Sequence, residues 1–230
     1  MSVKDPCMRT FSAHLQLLMR SAAAPIIELL APPRCGICDA EGAVVCSSCR
    51  AVWIPERAVE LSQGNLAGSA ALGPYEGGLG SAIRSMKYGG VHALAHELGT
   101  ALLPVVTQVA RRAPFQVTLV PIPTDQRRVR ERGFDHAALL ANAAGESAQL
   151  PVRALLVRIR STEPLHGATR SERAEIMRGA MSCTDQGETP SAVVLIDDVQ
   201  TSGATAREAA RALRAAGVRW VAVASVAYER

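Results

Sequence analysis

The sequence predicts an α/β fold in which a central, mainly parallel sheet is flanked by helices. Three apolar runs carry this reading: residues 117–122, 192–196 and 220–226 are strand-length and nearly continuous, as strands buried on both faces are. Between and around them lie Ala-rich stretches of helical length, 136–148 and 205–216, the second closed by Gly217 as a C-cap. Such alternation of helix and strand argues for a parallel sheet. The composition agrees, because only 3% of residues are aromatic while 48% are hydrophobic, so the core must rest on Ala, Val, Leu and Ile.

Taken in order, the chain opens with an apolar stretch at 11–30 that His14, Arg20, Pro25 and Glu28 interrupt. It falls short of the roughly 18 uninterrupted apolar residues of a membrane span and reads as a packing helix within an N-terminal helical segment, 1–30. No export signal is recognised, so a cytoplasmic setting is expected, where cysteines serve as metal ligands more often than as disulfides. Residues 31–60 form a small cysteine-bearing module, and 70–230 the α/β domain. Residues 158–184 carry many charges, two glycines, a proline and no apolar periodicity, which predicts a long mobile loop of the kind that forms lids. The net charge of +4 is carried mostly by Arg, whose planar fork suits phosphate.

The segment Val193-Val-Leu-Ile-Asp-Asp-Val-Gln-Thr-Ser-Gly-Ala-Thr205 is an apolar strand, two acids and a hydroxyl-rich turn that opens a helix. Backbone N–H groups and hydroxyls of Thr201, Ser202, Gly203, Ala204 and Thr205, at the helix N-terminus, form a cradle for phosphate. Gly203 permits close backbone approach. Asp197 and Asp198 would face opposite ways on a continuing strand, but at a strand end either can accept from a sugar diol. The bland alternative is an ordinary strand-to-helix turn with a Ser or Thr cap.

Cys35-Gly-Ile-Cys38 and Cys46-Ser-Ser-Cys49 are paired knuckles that predict a four-thiolate structural zinc site, a filled shell with no position for substrate. Cys7 and Cys183 lack such a partner pattern and receive no function.

The segment 193–205 resembles the 5-phosphoribosyl-1-pyrophosphate (PRPP) signature of type I phosphoribosyltransferases. Gln200, where a small apolar residue is more usual, departs from it. The resemblance implies that Asp197 and Asp198 hold the ribose hydroxyls, that Thr201 to Thr205 hold the 5-phosphate, and that magnesium accompanies PRPP. The order of the knuckle, Tyr75-Glu-Gly77, Met86-Lys-Tyr-Gly89, Val120-Pro-Ile-Pro123, Arg132-Gly-Phe134 and the terminal signature resembles the ComF family, whose members are associated with DNA uptake in natural transformation. By family position Lys87, Arg160 and Arg173 are weak catalytic candidates, and Arg127 and Arg128 fall on the expected pyrophosphate side. The loop keeps Arg160, Thr162, Gly167, Arg173, Arg178, Gly179 and Ala180 of the family pattern. Asp135 and His136 replace an Asn-Gln pair, and Leu165, Ala168 and Ile176 replace a Gln, a Leu and an Asn. Asp135 would make the site more acidic.

Two classes of function follow. One is an enzyme transferring phosphoribosyl to an acceptor that no residue pattern identifies. The other is a sensor or scaffold that binds PRPP or ribose 5-phosphate without turnover and engages single-stranded DNA or a DNA-uptake protein, although the few aromatics offer little stacking. His136, at the start of an Ala-rich helix, is expected to be a surface or cap residue rather than a general base. His14, His92, His96 and His166 lack convincing partner spacing.

Overall fold

A computed structural model describes residues 32–53, 58–61, 66–161, 169–184 and 187–229. The N-terminal segment 1–30 and loop positions Thr162, Leu165, His166, Gly167 and Ala168 lie outside these residues.

The chain forms helix α1 (Ser47–Trp53), strands β1 (Val59–Glu60) and β2 (Ser69–Pro74), helices α2 (Gly77–Tyr88), α3 (Ala93–Ala101) and α4 (Leu103–Ala110), and strand β3 (Val117–Pro121). Helices α5 (Gln126–Arg132) and α6 (His136–Ala148) follow, then β4 (Leu156–Arg158), α7 (Arg170–Met177) and β5 (Met181–Cys183). Strand β6 (Ala192–Gln200), helix α8 (Ala204–Ala215) and strand β7 (Trp220–Tyr228) complete the fold. Among the described residues the main sheet has the order β1-β2-β7-β6-β3, parallel throughout except for β1 at its edge.

The apolar runs are strands because both their faces are covered. Val194 and Ile196 of β6 pack with α2, α3, α4 and α6, whereas Val193 and Leu195 pack with α8. The two-residue period of the strand thus serves two separate cores. Helices α3 and α6 approach closely: a Cβ at Gly99 would lie 2.6 Å from the Leu140 carbonyl oxygen and 2.7 Å from Ala143 Cβ.

Leaving β3, the chain passes to α5 and α6, and α6 packs on the α3 face. Leaving β6, it passes to α8 on the opposite face. The carboxyl ends of β3 and β6 are neighbours, so the connections diverge there and open a crevice, which is where open α/β sheets bind ligands.

The expected long loop at 158–184 is corrected in its described part. Thr169 and Glu172 form a reciprocal capping box that starts α7, and β5 pairs antiparallel with β4. The helix buries little beyond Met177, so its start was written in the cap and not in apolar periodicity. No helix among the described residues is long and apolar enough to cross a membrane.

Candidate functional site

The crevice holds a cavity of about 460 Å3, lined from both diverging connections: Pro123, Thr124 and Asp125 after β3, and Asp197, Asp198, Val199, Thr201 and Ser202 with Ala204 and Thr205 around the end of β6. Lys87 from α2, His136 from α6, Arg158 from β4 and Arg173 from α7 reach it as well. Residues separated by more than a hundred positions are thereby brought to one volume.

Strand β6 continues to Gln200, so the two acids keep the pleat and face opposite layers. Asp198 shares the parity of Val194 and Ile196 and meets Lys87 Nζ at 2.5 Å and His136 Nε2 at 2.8 Å. Burial opposes its ionisation, but Lys87 and His136 outweigh burial and hold its carboxyl far below the usual carboxylate range. Neither contact meets Oδ2 at a hydrogen-bonding angle, which leaves a buried oxygen without an aligned donor. Lys87 responds in kind: burial disfavours its charge, and Asp198 more than compensates, raising its affinity for the proton.

Asp197 shares the parity of Val193 and Leu195 and is only partly covered. Burial and the neighbouring Asp198 charge push its carboxyl up to about 7. The two adjacent acids therefore differ because Lys87 and His136 contact Asp198 directly and act on Asp197 only at longer range.

The phosphate-type turn follows. Gly203 adopts φ 71° and N-caps α8, a left-handed conformation that a residue with a Cβ takes only at a cost. Arg207 donates to the Ser202 carbonyl at 2.9 Å, and Arg173 NH1 donates to Thr201 Oγ1 at 3.4 Å. Thr201, Ser202, Ala204 and Thr205 line the cavity.

The remaining sequence candidates fall unevenly. Arg128 lines the cavity, whereas exposed Arg127 is not among its lining residues. Arg160 is not among them either; its NH2 donates to the Ile176 and Arg178 carbonyls at 2.7 and 2.9 Å, closing the end of α7. Gln200 is 2% exposed, accepts from Ser69 Oγ at 2.7 Å and donates to Ser225 Oγ at 2.7 Å. Its departure from the signature is a buried polar tie across β2, β7 and β6.

Two expectations are corrected here. His136 is neither a surface nor a mere cap residue: it is 6% exposed and contacts Asp198. Asp135 stands outside the cavity wall, its carboxylate capping α6 by accepting from Ala137 N at 3.0 Å and from Thr124 Oγ1 at 2.7 Å, and its charge reaches the site only through the lining residue Arg158. Sequence reasoning missed Thr124, Asp125, Arg158 and Glu229 as lining residues. Asp125 had one legible signal, its N-cap spacing before α5, where Oδ1 accepts from Arg127 N at 2.9 Å.

The sulfur atoms of Cys35, Cys38, Cys46 and Cys49 all lie within 4.8 Å of one another, so the cluster is arranged to hold a metal ion. Cys38 and Cys46 Sγ are 3.6 Å apart, near the edge of about 3.8 Å of a tetrahedron with metal–sulfur bonds of about 2.3 Å. Burial resists thiolate at Cys35, but the N–H groups of Cys46, Cys38 and Ile37 win and bring its thiol down to about 6. Neighbouring thiols, Cys38 foremost, push Cys49 up to about 12, the mutual repulsion that a bound cation relieves. The knuckle packs onto the α/β body: Val45 is 3% exposed in the core, Gly36 rests on Leu94, and Arg50 pairs with Glu97.

No family model matches the chain. It is 29% identical over 108 residues to Competence protein F of Haemophilus influenzae, an alignment covering 46% of this chain and 47% of that protein. It is 35% identical over 99 residues to Competence protein ComFC of Bacillus subtilis, covering 41% and 37%. The alignments thus span less than half of each curated relative. Among solved structures, the allosteric regulatory enzyme of purine biosynthesis aligns over 59% of this chain and 26% of its own, at 21% identity and TM-score 0.37. Glutamine PRPP amidotransferase from B. subtilis aligns over the same shares at 24% identity and TM-score 0.36. Over the aligned parts the chain is thus similar to two competence proteins, and it carries a mainly parallel α/β body.

Proposed function

We propose that the crevice binds PRPP or ribose 5-phosphate and that the protein transfers phosphoribosyl to an acceptor carrying a nucleophilic nitrogen. The observation that carries this is the joining, in one cavity at the sheet's switch point, of two differently charged acids with a helix-opening Thr-Ser-Gly-Ala-Thr turn. The 5-phosphate sits on the N–H groups and hydroxyls of 201–205. Asp197 and Asp198 accept from the ribose hydroxyls, and Arg128, Arg158 and Arg173 face the charge of the leaving pyrophosphate. The bond from the anomeric carbon to the pyrophosphate oxygen breaks, a bond to the acceptor nitrogen forms, and that nitrogen releases its proton. Magnesium, which would accompany PRPP, would supply further neutralisation of the departing charge that Arg128, Arg158 and Arg173 face. In the knuckle, zinc supplies a closed structural shell through Cys35, Cys38, Cys46 and Cys49.

Calorimetric titration of magnesium PRPP, with ribose 5-phosphate alongside, tests the reading. Saturable binding is expected, lost when Asp197→Asn and Asp198→Asn are combined. Absence of binding by folded, metal-loaded protein overturns it.

One observation favours a second reading, a sensor or scaffold in DNA uptake. Asp198 is already neutralised internally by Lys87, so a ligand meets an acid that the protein itself has balanced. Binding without pyrophosphate release under any acceptor supports this reading. A partner surface for single-stranded DNA would show affinity falling steeply with salt.

A further inference from the structure

The ring of His136 meets Arg132, Thr124 and Asp198, and their chemistry fixes where its hydrogen resides. Its Nδ1 lies 3.2 Å from Arg132 NH1 and 3.4 Å from Thr124 Oγ1. A guanidinium N–H donates and accepts nothing. The Thr124 hydroxyl has one hydrogen, and it points at Asp135 Oδ1, 2.7 Å away, so Thr124 has none left for the imidazole. A hydrogen on Nδ1 would therefore face the hydrogen of Arg132. On the other side Nε2 lies 2.8 Å from Asp198 Oδ2, too close for two lone pairs to face each other, which places the ring hydrogen on Nε2 although it does not meet Oδ2 at an aligned angle. Arg132 is itself held from outside: its guanidinium lies 5.0 Å from the centre of the exposed Tyr88 ring, and its NH2 donates to Tyr88 Oη at 3.3 Å.

We propose that His136 is the positioning residue of Asp198, held by Arg132 as the Nε2–H tautomer so that it always turns an N–H, and never a lone pair, toward the acid. Lys87 supplies a movable charge beside Asp198, and His136 a fixed N–H dipole. Lys87 is a flexible chain ending in a rotatable ammonium, whereas the imidazole is rigid and 6% exposed at the first position of α6. With the N–H dipole fixed beside it, the carboxylate keeps its place in the cavity wall. The chain from the Tyr88 rim to the acid, Tyr88–Arg132–His136–Asp198, makes the surface pair Tyr88–Arg132 a remote support of the site. The part of this inference that concerns ligand rests on the binding reading above; the tautomer does not.

Two measurements separate them. Long-range proton–nitrogen NMR on the full chain reads the His136 ring directly: an unprotonated Nδ1 and protonated Nε2 are expected, and tautomer mixing is expected in Arg132→Ala. A protonated Nδ1 in the parent protein, or an unchanged ring in Arg132→Ala, overturns the proposal whether or not any sugar phosphate binds. For the ligand arm, His136→Ala is expected to weaken ribose 5-phosphate about 10-fold, the loss of one polar contact to a charged group. His136→Gln, whose amide offers a donor and an acceptor, is expected to recover most of that loss. Equal affinities for both variants, in folded protein, show that His136 only fills space and sink the positioning role. If the parent protein binds no sugar phosphate, the ligand reading fails and the NMR result alone decides the tautomer.

Discussion

Asp197 and Asp198 are neighbours with opposite effects on stability. The Asp197 carboxyl titrates near 7 in the folded protein, above its ordinary value of 3.8, so the unfolded chain gives up that proton first as pH rises. The fold then binds more protons than the unfolded chain between about 4 and 7, and stability falls across that window. Asp197→Asn is expected to flatten this fall and to stabilise the protein at pH 8 by about 1–4 kcal/mol. Asp198 is the reverse case: its depressed value contributes stability above the unfolded value that is lost as pH drops through the folded one. Asp198→Asn strands the buried Lys87 cation and is expected to cost about 3–5 kcal/mol. Urea unfolding at several pH values checks both signs; two substitutions of the same sign would refute the division of labour between the acids. A binding site that costs stability at one acid while gaining it at the other follows the usual tension between function and stability.

The contact between α3 and α6 sets how accurately the element carrying His136 is held. Gly99 is where the two helices touch, and Gly145 allows α6 to pass Val152, whose Cγ2 would lie 2.3 Å from a Cβ there. Gly99→Ala forces helix against backbone and is expected to destabilise by about 1–3 kcal/mol. Because α6 also carries His136, that variant should bind sugar phosphate more weakly even where it is folded. Denaturant midpoint and calorimetry on the same sample check both effects. The reverse, weaker binding with no loss of stability, would point away from helix displacement. Helix α6 was legible from Ala-rich composition to its last residue, and its start at His136 was legible too. What that start faces was not, because the partner Asp198 lies on a strand 62 positions later and reaches it only through the sheet. Helix α7 escaped the sequence reading for the opposite reason, being short, charged and exposed, with its only signal in the Thr169–Glu172 cap.

For the molecule as a whole, β3, β6 and β7 were legible because both faces are buried and the runs are almost purely apolar. Strand β2, Ser-Ala-Ala-Leu-Gly-Pro, has no β-branched residue and owes its state to pairing with β7. The phosphate-type turn was legible as one continuous string, whereas the cavity's other wall is assembled from α2, the β3 connection, β4 and α7 and has no sequence-local signature. The knuckle was legible from spacing alone, but its attachment was not. One bound zinc per chain is expected by elemental analysis, reduced to a trace in Cys35→Ser with Cys49→Ser, and its removal by a strong chelator should lower the melting temperature by several degrees. An unchanged melting curve in metal-free protein would show the cluster to be dispensable. That attachment reaches further than the melting curve. Gly36 rests on Leu94, Gly99 of the same helix rests on Leu140, and the helix bearing Leu140 begins with His136. Only the helices α3 and α6 therefore lie between the thiolate cluster and the crevice, so under the proposed binding reading metal-free protein is expected to hold sugar phosphate more weakly than metal-loaded protein.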